Sequence, residues 1–260
     1  MSGQARRVHW PEALMEALGL GLFMISAGVF GTWLEYPGSM LHQAIPDPLA
    51  RRALMGAAMG LTAIGLVYSP WGRRSGAHIN PAFTLTFWRL GRVSSRDAAA
   101  YVVAQFAGGL AGALLVAALL GDAFRAPPVT AVVTLPGAAG LAVAFGCEVA
   151  ISFALVLLVL TLGQSPRLAR YTGLFVGGVL FLYITFEAPL SGMSMNPART
   201  FASAIPGHIW KGIWIYFVAP VAGMLLASET HVRLVRTRRA GCAKLSHTFP
   251  CIFCGEAPRG

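Results

Sequence analysis

Apolar runs long enough to cross a membrane recur along the whole chain, and this feature constrains the fold more than any other. A helix of about 20 residues spans roughly 30 Å of hydrocarbon. Only 12% of the 260 residues are charged, whereas a soluble domain carries about 25%. So little charge does not cover a soluble surface, and the sequence therefore predicts an all-α membrane protein.

Hydropathy, with Pro, Gly and Arg marking the interruptions, predicts six transmembrane helices. Their expected positions are 12–35, 51–70, 97–120, 139–163, 170–190 and 209–232. The first apolar run is too long for a cleavable signal peptide and is expected to stay in the membrane. The expected domains are an N-terminus at 1–9, a membrane domain at 10–232 with halves of about 10–120 and 139–232, and a basic, Cys-containing tail at 233–260.

The formal net charge of +10 is concentrated in short Arg clusters between the apolar runs. Basic proteins bind nucleic acid through its phosphates, but clusters between membrane helices are typical of cytoplasmic loops instead. Because the clusters occur at the N-terminus and after the second, fourth and sixth runs, both termini are expected in the cytoplasm. The expected location is a plasma or inner membrane, and nucleic acid is not an expected partner.

Two stretches, 75–90 and 190–204, are too short and too polar at their start to span a membrane, and they share one motif. The first contains Asn80-Pro81-Ala82, and the second contains Asn196-Pro197-Ala198 followed by Arg199. Each motif follows two apolar runs in its own half. A half with three spans reverses the orientation of its partner, so the repeat is predicted to be inverted, with its functional site near the membrane midplane.

Each Asn-Pro pair is typical of a helix start. Asn is a favoured N-cap, and Pro at the first helical position loses no hydrogen bond. The motifs therefore predict two half-helices, at 82–90 and 198–204, whose loops enter from opposite faces. Irregular backbone at membrane depth must line a watery cavity or be buried in protein. The positive ends of both half-helices would meet there and, with Arg199, oppose the passage of protons and cations.

A single-file solute in such a cavity needs hydrogen-bond partners to replace its hydration. The amides of Asn80 and Asn196 would donate to its oxygen. Backbone carbonyls of the approaches 76–79 and 192–195, which begin at Gly76 and Gly192, would accept from it. Glu16 and Glu148 stand at equivalent places in the two halves, and they are expected to brace the loops by accepting backbone N–H bonds.

With these motifs, residues 10–232 resemble the aquaporin, or major intrinsic protein, family. The resemblance rests on both Asn-Pro-Ala motifs, Arg199, the approach Ser75-Gly76-Ala77-His78, the word Tyr101-Val102-Val103-Ala104-Gln105 and the two glutamates. It implies a passive channel of six helices and two re-entrant half-helices, and a homotetramer; His78 is expected either to line the pore or to support its loop. It also implies a selectivity filter, which alignment places at Met59, or Gly60 without a one-residue insertion, and at Ile184, Met193 and Arg199.

This filter departs from the water-specific pattern of the family, which has an aromatic residue and a His at the first two positions. Three apolar residues and one Arg admit less polar or larger neutral solutes, and Met is flexible enough to widen or close the gap. Thr200, where the glycerol branch has Asp, and the pair Tyr216-Phe217 resemble the water branch. Water is therefore the expected permeant, and glycerol or hydrogen peroxide the alternative.

The tail contains three of the four cysteines and a histidine: Cys242, His247, Cys251 and Cys254. Three thiolates and one imidazole are a ligand set for tetrahedral zinc. The family suggests no role for these residues, and a disordered tail is the alternative. No cofactor is expected for the channel itself.

Two other classes of function stay open at this stage. An ion-coupled transporter also uses inverted repeats and broken helices, but the runs lack a chain of acids and bases. A structural or sensory protein would have a pore closed by the filter methionines and Ile184. An enzyme is not expected, because no nucleophile, base and orienting group occur together.

Overall fold

The computed structural model describes residues 8–235, 242–247 and 251–254, and within them six helices are long and apolar enough to cross a membrane. The half-helices α3 and α7 and several shorter helical turns lie between them. In chain order the helices are α1 (Trp10–Glu35), α2 (Pro48–Tyr68), α3 (Pro81–Arg89), α4 (Ser95–Leu120), α5 (Leu141–Gln164), α6 (Ala169–Ser191), α7 (Pro197–Gly207) and α8 (Ile213–Val235).

The structure confirms the six predicted spans, with small changes at their ends. The helix α2 begins at Pro48 because the carboxylate of Asp47 caps it, accepting the N–H groups of Leu49 and Ala50 at 3.2 and 3.1 Å. The start of α8 is later than predicted, at Ile213, because the preceding Gly212 turns the chain with a φ of 69°. Capping and turn residues, rather than hydropathy, decide these boundaries.

The helices pack as two halves with the same arrangement. In the first half α1 lies along α4, and in the second half α5 lies along α8. The helices α2 and α6 contact each other between the halves, while α3 packs on α8 and α7 packs on α4. Each half-helix is therefore held by a spanning helix of the opposite half. With six crossings, the start of α1 and the end of α8 lie on one side of the membrane, called here the termini side.

Glycines allow the closest of these helix pairs. A Cβ at Gly108 of α4 would overlap the backbone of Ala17 in α1, and one at Gly112 would overlap the backbone of Gly21. At Gly60 of α2 a Cβ would lie 2.6 Å from the Gly177 carbonyl oxygen of α6. Small residues are expected at such contacts, because membrane helices gain their packing from close backbone approach.

The variant Gly108→Ala is expected to be less stable than the unmodified protein by about 1–3 kcal/mol, because the added methyl group has no space. The matched control is Gly146→Ala in α5, where a Cβ meets nothing within 4 Å and the helix gains propensity. Thermal unfolding in detergent measures both. Equal melting temperatures for the two variants would contradict the packing argument.

One spanning helix departs from regular helix geometry at the site. The helix α6 contains a π-helical turn at Tyr183–Glu187, a distortion that is frequent at functional sites, and Ile184 lies in it.

The described chain also continues beyond the predicted membrane domain. The helix α8 ends at Val235 rather than at 232, and Ala243 and Leu245 of the tail belong to the largest apolar cluster of the protein.

Candidate functional site

The N-termini of the half-helices α3 and α7 are capped by the two motif asparagines. The Asn80 side chain accepts the N–H of Ala82 at 2.9 Å. Asn196 accepts the N–H groups of Ala198 and Arg199 at 3.1 and 3.2 Å. Pro81 and Pro197 are the first helical residues, where a missing N–H costs nothing. Both caps thus hold the first turns whose N–H groups make the positive helix ends.

The two caps meet and are bonded to each other's loop. The Asn80 amide donates to the carbonyl of Met195 at 2.7 Å, and the Asn196 amide donates to the carbonyl of Ile79 at 2.8 Å. One N–H of each amide is thereby used within the protein, and the second remains as the donor for a solute. These two hydrogen bonds hold the positive ends of α3 and α7 next to each other inside the protein.

The loops that lead to the caps have the same strained backbone in both halves. Ala77 and Ile79 have φ values of 55° and 40°, and Met193 and Met195 have values of 48° and 52°. These lie in the left-handed region, which costs a residue with a Cβ of the order of 1–3 kcal/mol and clusters at functional sites. Such a conformation persists only when surrounding contacts fix it.

Glu16 and Gln105 fix the first loop. The buried Glu16 carboxylate accepts the Ser75 hydroxyl at 2.7 Å, the backbone N–H of His78 at 3.0 Å, and the N–H of Ile79. The Gln105 amide donates to the same carboxylate at 2.9 Å. One charged acceptor thus holds three donors of a loop that has no internal ladder of hydrogen bonds.

Glu148 occupies the equivalent place for the second loop. Its buried carboxylate accepts the Ser191 hydroxyl at 3.1 Å and the backbone N–H groups of Ser194 and Met195 at 2.6 and 2.8 Å. The hydroxyl of Tyr216 donates to the Ser191 carbonyl at 2.6 Å. Tyr101 makes the same bond to Ser75, at 2.8 Å, in the first half. The inverted repeat therefore extends to the groups that support the loops.

A cavity of about 310 Å³ runs past both caps. Glu35 and Arg52 line it on the side opposite to the termini, and Leu245 lines it at the termini side. The four residues aligned with the family filter all line it: Met59, Ile184, Met193 and Arg199. His78, Asn80, Gly192 and Asn196 line it as well.

The alternative filter residue, Gly60, does not line this cavity. It faces α6, where it packs against the Gly177 backbone. Met59 precedes it and is 2% exposed, with its sulfur 3.9 Å from the Ser26 hydroxyl. Of the two alignments, the one with a one-residue insertion thus brings a side chain to the cavity.

Arg199 is positioned by a residue that the sequence did not point to. Its guanidinium donates to the hydroxyl of Thr134, which also accepts from the Thr200 hydroxyl at 3.2 Å. Thr134 lies in the connection between the halves, where no motif occurs. Only the folding of that connection over the end of α7 brings it to the cavity.

His78 is bonded on both ring nitrogens. Nδ1 lies 3.1 Å from the Thr84 hydroxyl, and Nε2 lies 2.7 Å from the carbonyl of Ala243 in the tail. Because a carbonyl only accepts, Nε2 carries the proton and donates. The ring is also stacked on Phe253, with centroids 5.8 Å apart and an interplanar angle of 8°.

The structure brings together the four tail residues that the sequence suggested as metal ligands. One ligand atom from each of Cys242, His247, Cys251 and Cys254 lies within 4.8 Å of all the others. The Cys242 and Cys251 sulfurs are 3.2 Å apart, as are the His247 Nε2 and Cys254 sulfur. A hydrogen bond from the Cys242 thiol, aided by backbone N–H groups of the 251–254 turn, lowers the pKa of Cys251 against the effect of burial.

A model of the family described as major intrinsic protein matches residues 5–231, which is most of the chain. The chain belongs to the major intrinsic protein family. With its six apolar spanning helices, this major intrinsic protein is an integral, multi-pass membrane protein.

Plant aquaporins are among its curated relatives. Aquaporin NIP1-4 of Oryza sativa subsp. japonica is 37% identical over 167 residues, covering 64% of this chain and 59% of that protein. A probable aquaporin NIP-type of Nicotiana alata is 36% identical over 180 residues, covering 68% and 64%. Aquaporin NIP1-2 of Arabidopsis thaliana is 36% identical over 168 residues, covering 63% and 56%. The match thus spans about 60% of the length of these relatives.

Among solved structures, the aquaglyceroporin from Plasmodium falciparum has the same fold. The TM-score is 0.72, with 20% sequence identity, and the match covers 86% of this chain and 96% of that one. At 20% sequence identity, this similarity shows a shared fold and nothing about function. The prediction of six spanning helices and two re-entrant half-helices is therefore confirmed.

Proposed function

We propose that this major intrinsic protein is a passive channel for water and small neutral solutes. One observation carries the proposal: the capped N-termini of α3 and α7 exchange hydrogen bonds beside a cavity that both motif asparagines line. Each asparagine has a second N–H to offer a solute oxygen, which offsets the loss of hydration. The curated relatives are named aquaporins, which supports water as a permeant.

Exclusion of ions follows from charge at the same place. Each half-helix N-terminus acts as roughly +0.5 of an elementary charge, and two such ends meet at the caps. The guanidinium of Arg199 adds a full positive charge to the cavity wall. A proton or cation at this point meets three positive groups, whereas a neutral solute does not feel their net charge.

The solute range follows from the proposed filter of Met59, Ile184, Met193 and Arg199. Three apolar side chains and one cation offer few hydrogen-bond partners, so solutes less polar than water lose little there. Glycerol and hydrogen peroxide are therefore the second candidates. Met59 and Met193 are flexible enough to adjust the width, and a permeability series of increasing solute size measures the limit they set.

The positive-inside rule supports a cytoplasmic termini side, in a plasma or inner membrane. Within the described chain, Arg73 and Arg74 lie at the end of the short helix Pro70–Ser75 on that side. A homotetramer, as in the family, would cover part of the apolar outer surface, on which Leu61, Val103 and Leu119 are more than half exposed. Chemical cross-linking in the membrane measures the oligomeric state.

The other classes of function have less support. The buried acids Glu16 and Glu148 accept hydrogen bonds from the loops, so their oxygens are occupied rather than poised to bind a coupling ion. A permanently closed sensory protein would have no space for a solute at the half-helix ends. Here, by contrast, the cavity runs past both caps. A channel is also a more direct use of two opposed helix ends than any enzyme reaction.

Stopped-flow osmotic shock of reconstituted vesicles tests the proposal. We expect vesicles with the protein to shrink several-fold faster than empty vesicles, with no ionic current in a planar bilayer. A second sample lacks residues 236–260, because Ala243 and Phe253 of the tail contact His78 at the cavity and could slow conduction. If both proteins give the permeability of empty vesicles, water is not a permeant. A current that follows the ion gradient would favour the ion channel or transporter instead.

A further inference from the structure

We propose that Cys242, His247, Cys251 and Cys254 bind a zinc-class metal ion, and that this ion holds the tail across the termini-side mouth of the pore and closes it. The closing part of the inference rests on the proposed channel function. The metal site itself does not rest on the channel function, because it is defined by its own ligand atoms.

The ligand set fits a tetrahedral site. Three sulfurs and one imidazole nitrogen lie within 4.8 Å of one another, and two pairs are 3.2 Å apart. A zinc ion with Zn–S bonds of about 2.3 Å places its sulfurs about 3.8 Å apart. The recorded separations, from 3.2 Å to at most 4.8 Å, lie on either side of this value, so small adjustments of the side chains would bring the four atoms to one ion.

Apart from their contacts with the channel, among them those of Ala243 and Leu245 in the main apolar cluster, the two tail segments have little to fold them. Residues 242–247 and 251–254 contain turns and bends, and neither of these two described segments contains a regular helix or strand. Units this small do not gain enough apolar burial to fold alone and commonly depend on a metal. Cysteine thiolates from one segment and from the other, joined through one ion, supply the missing cross-link.

The tail contacts the mouth of the pore through two hydrogen bonds and one stacked pair of rings. The Leu245 N–H donates to the Gly76 carbonyl at 3.2 Å. The Ala243 carbonyl accepts from His78 Nε2 at 2.7 Å. Phe253 stacks on the His78 ring. Gly76 and His78 begin the re-entrant approach, so the tail occupies groups that a solute entering from this side would use.

The Leu245 side chain closes the path itself. It is 8% exposed, belongs to the main apolar cluster and lines the termini-side end of the cavity. An apolar side chain offers no hydrogen bond to a water molecule, so a water there would lose hydration without compensation. The docked tail therefore obstructs conduction both by volume and by removing hydrogen-bond partners.

The metal ligands bracket every docking residue. Ala243 and Leu245 lie between Cys242 and His247, and Phe253 lies between Cys251 and Cys254. Loss of the ion would therefore free both docking segments at once. Metal occupancy and closure are coupled by chain connectivity.

The first test measures metal independently of transport. The purified full chain, loaded with zinc and desalted, is expected to hold about one zinc ion per chain. The triple variant Cys242→Ser, Cys251→Ser, Cys254→Ser is expected to hold almost none. Cys147→Ser is the matched control, because Cys147 is a free thiol within α5, outside the cluster. Cobalt in place of zinc should give tetrahedral thiolate absorption bands. Equal zinc in the triple variant and the control would overturn the site.

The second test measures closure by osmotic shock. Zinc-loaded vesicles are expected to be slow, and a membrane-permeant zinc chelator should speed them several-fold. The triple Ser variant and a chain ending at Val235 should be fast and insensitive to the chelator, whereas Cys147→Ser should behave like the unmodified protein. Bound zinc with permeability unchanged by the chelator would overturn the closing role, as would release by a thiol reductant but not by the chelator.

Hydrogen exchange separates failure of this inference from failure of the channel proposal. Peptides covering 242–247 and 76–79 should be protected with zinc and should exchange faster after chelation, even in a protein that conducts nothing. Protection that is independent of zinc would overturn metal-dependent docking. A tail-free chain that fails to conduct, together with zinc-dependent protection, would count against the channel function alone.

Discussion

Replacing Glu148 by leucine is expected to leave almost no folded, conducting protein in the membrane. The Ser191 hydroxyl and the N–H groups of Ser194 and Met195 would lose their acceptor inside the protein. Each buried donor without a partner costs about 1–3 kcal/mol. The combined loss is comparable to the total stability of about 5–15 kcal/mol of many proteins, and it falls on a loop whose backbone is already strained.

The matched control for this variant is Glu187→Gln in α6. The Glu187 carboxylate accepts no backbone N–H group of the second loop among the described residues, so Glu187→Gln should lower the melting temperature far less than Glu148→Leu does. Fluorescence-detected size exclusion after heating measures stability, and vesicle shrinkage measures conduction. The bracing argument is wrong if Glu148→Leu and Glu187→Gln retain the same melting temperature. Glu16→Leu should repeat the Glu148 result through the first loop.

Replacing Arg199 by methionine is expected to weaken ion exclusion and to widen the solute range. A cation about 8 Å from the guanidinium is repelled by about 2 kcal/mol at an effective dielectric constant of 20, or roughly thirtyfold in occupancy. Methionine is apolar, unbranched and flexible, so this substitution removes the positive charge without adding a branch at Cβ. Water permeability should remain, while uptake of glycerol and cation leak should rise.

Thr134→Val is the control that separates charge from position. It removes the hydroxyl that accepts from Arg199 but leaves the positive charge in place. Cation leak should therefore stay low in Thr134→Val and rise in Arg199→Met. Bilayer current under an ion gradient and light scattering with glycerol measure the two effects. No leak in Arg199→Met would argue that the half-helix ends alone exclude cations, whereas an equal rise of leak in both variants would argue that the position of the Arg199 charge is required.

The sequence by itself determined the number of spans, the inverted repeat and the two half-helix starts. These depend on local physics. Apolar length decides whether a helix can cross the bilayer, and an Asn-Pro pair directly before an apolar run favours a helix start. The predicted half-helices at 82–90 and 198–204 differ from the observed α3 and α7 only at their ends.

Tertiary structure decided which groups face one another. The sequence placed Glu16 and Glu148 at equivalent positions, but only the packed helices show which loop N–H groups they accept. It did not indicate Thr134 at all, because its role depends on a connection folding over α7. Likewise the spacing of the tail cysteines suggested a metal site, while its position over His78 depends on contacts between residues far apart in the chain. Local propensities act over a few residues, whereas a pore and its closure are made where distant segments pack together.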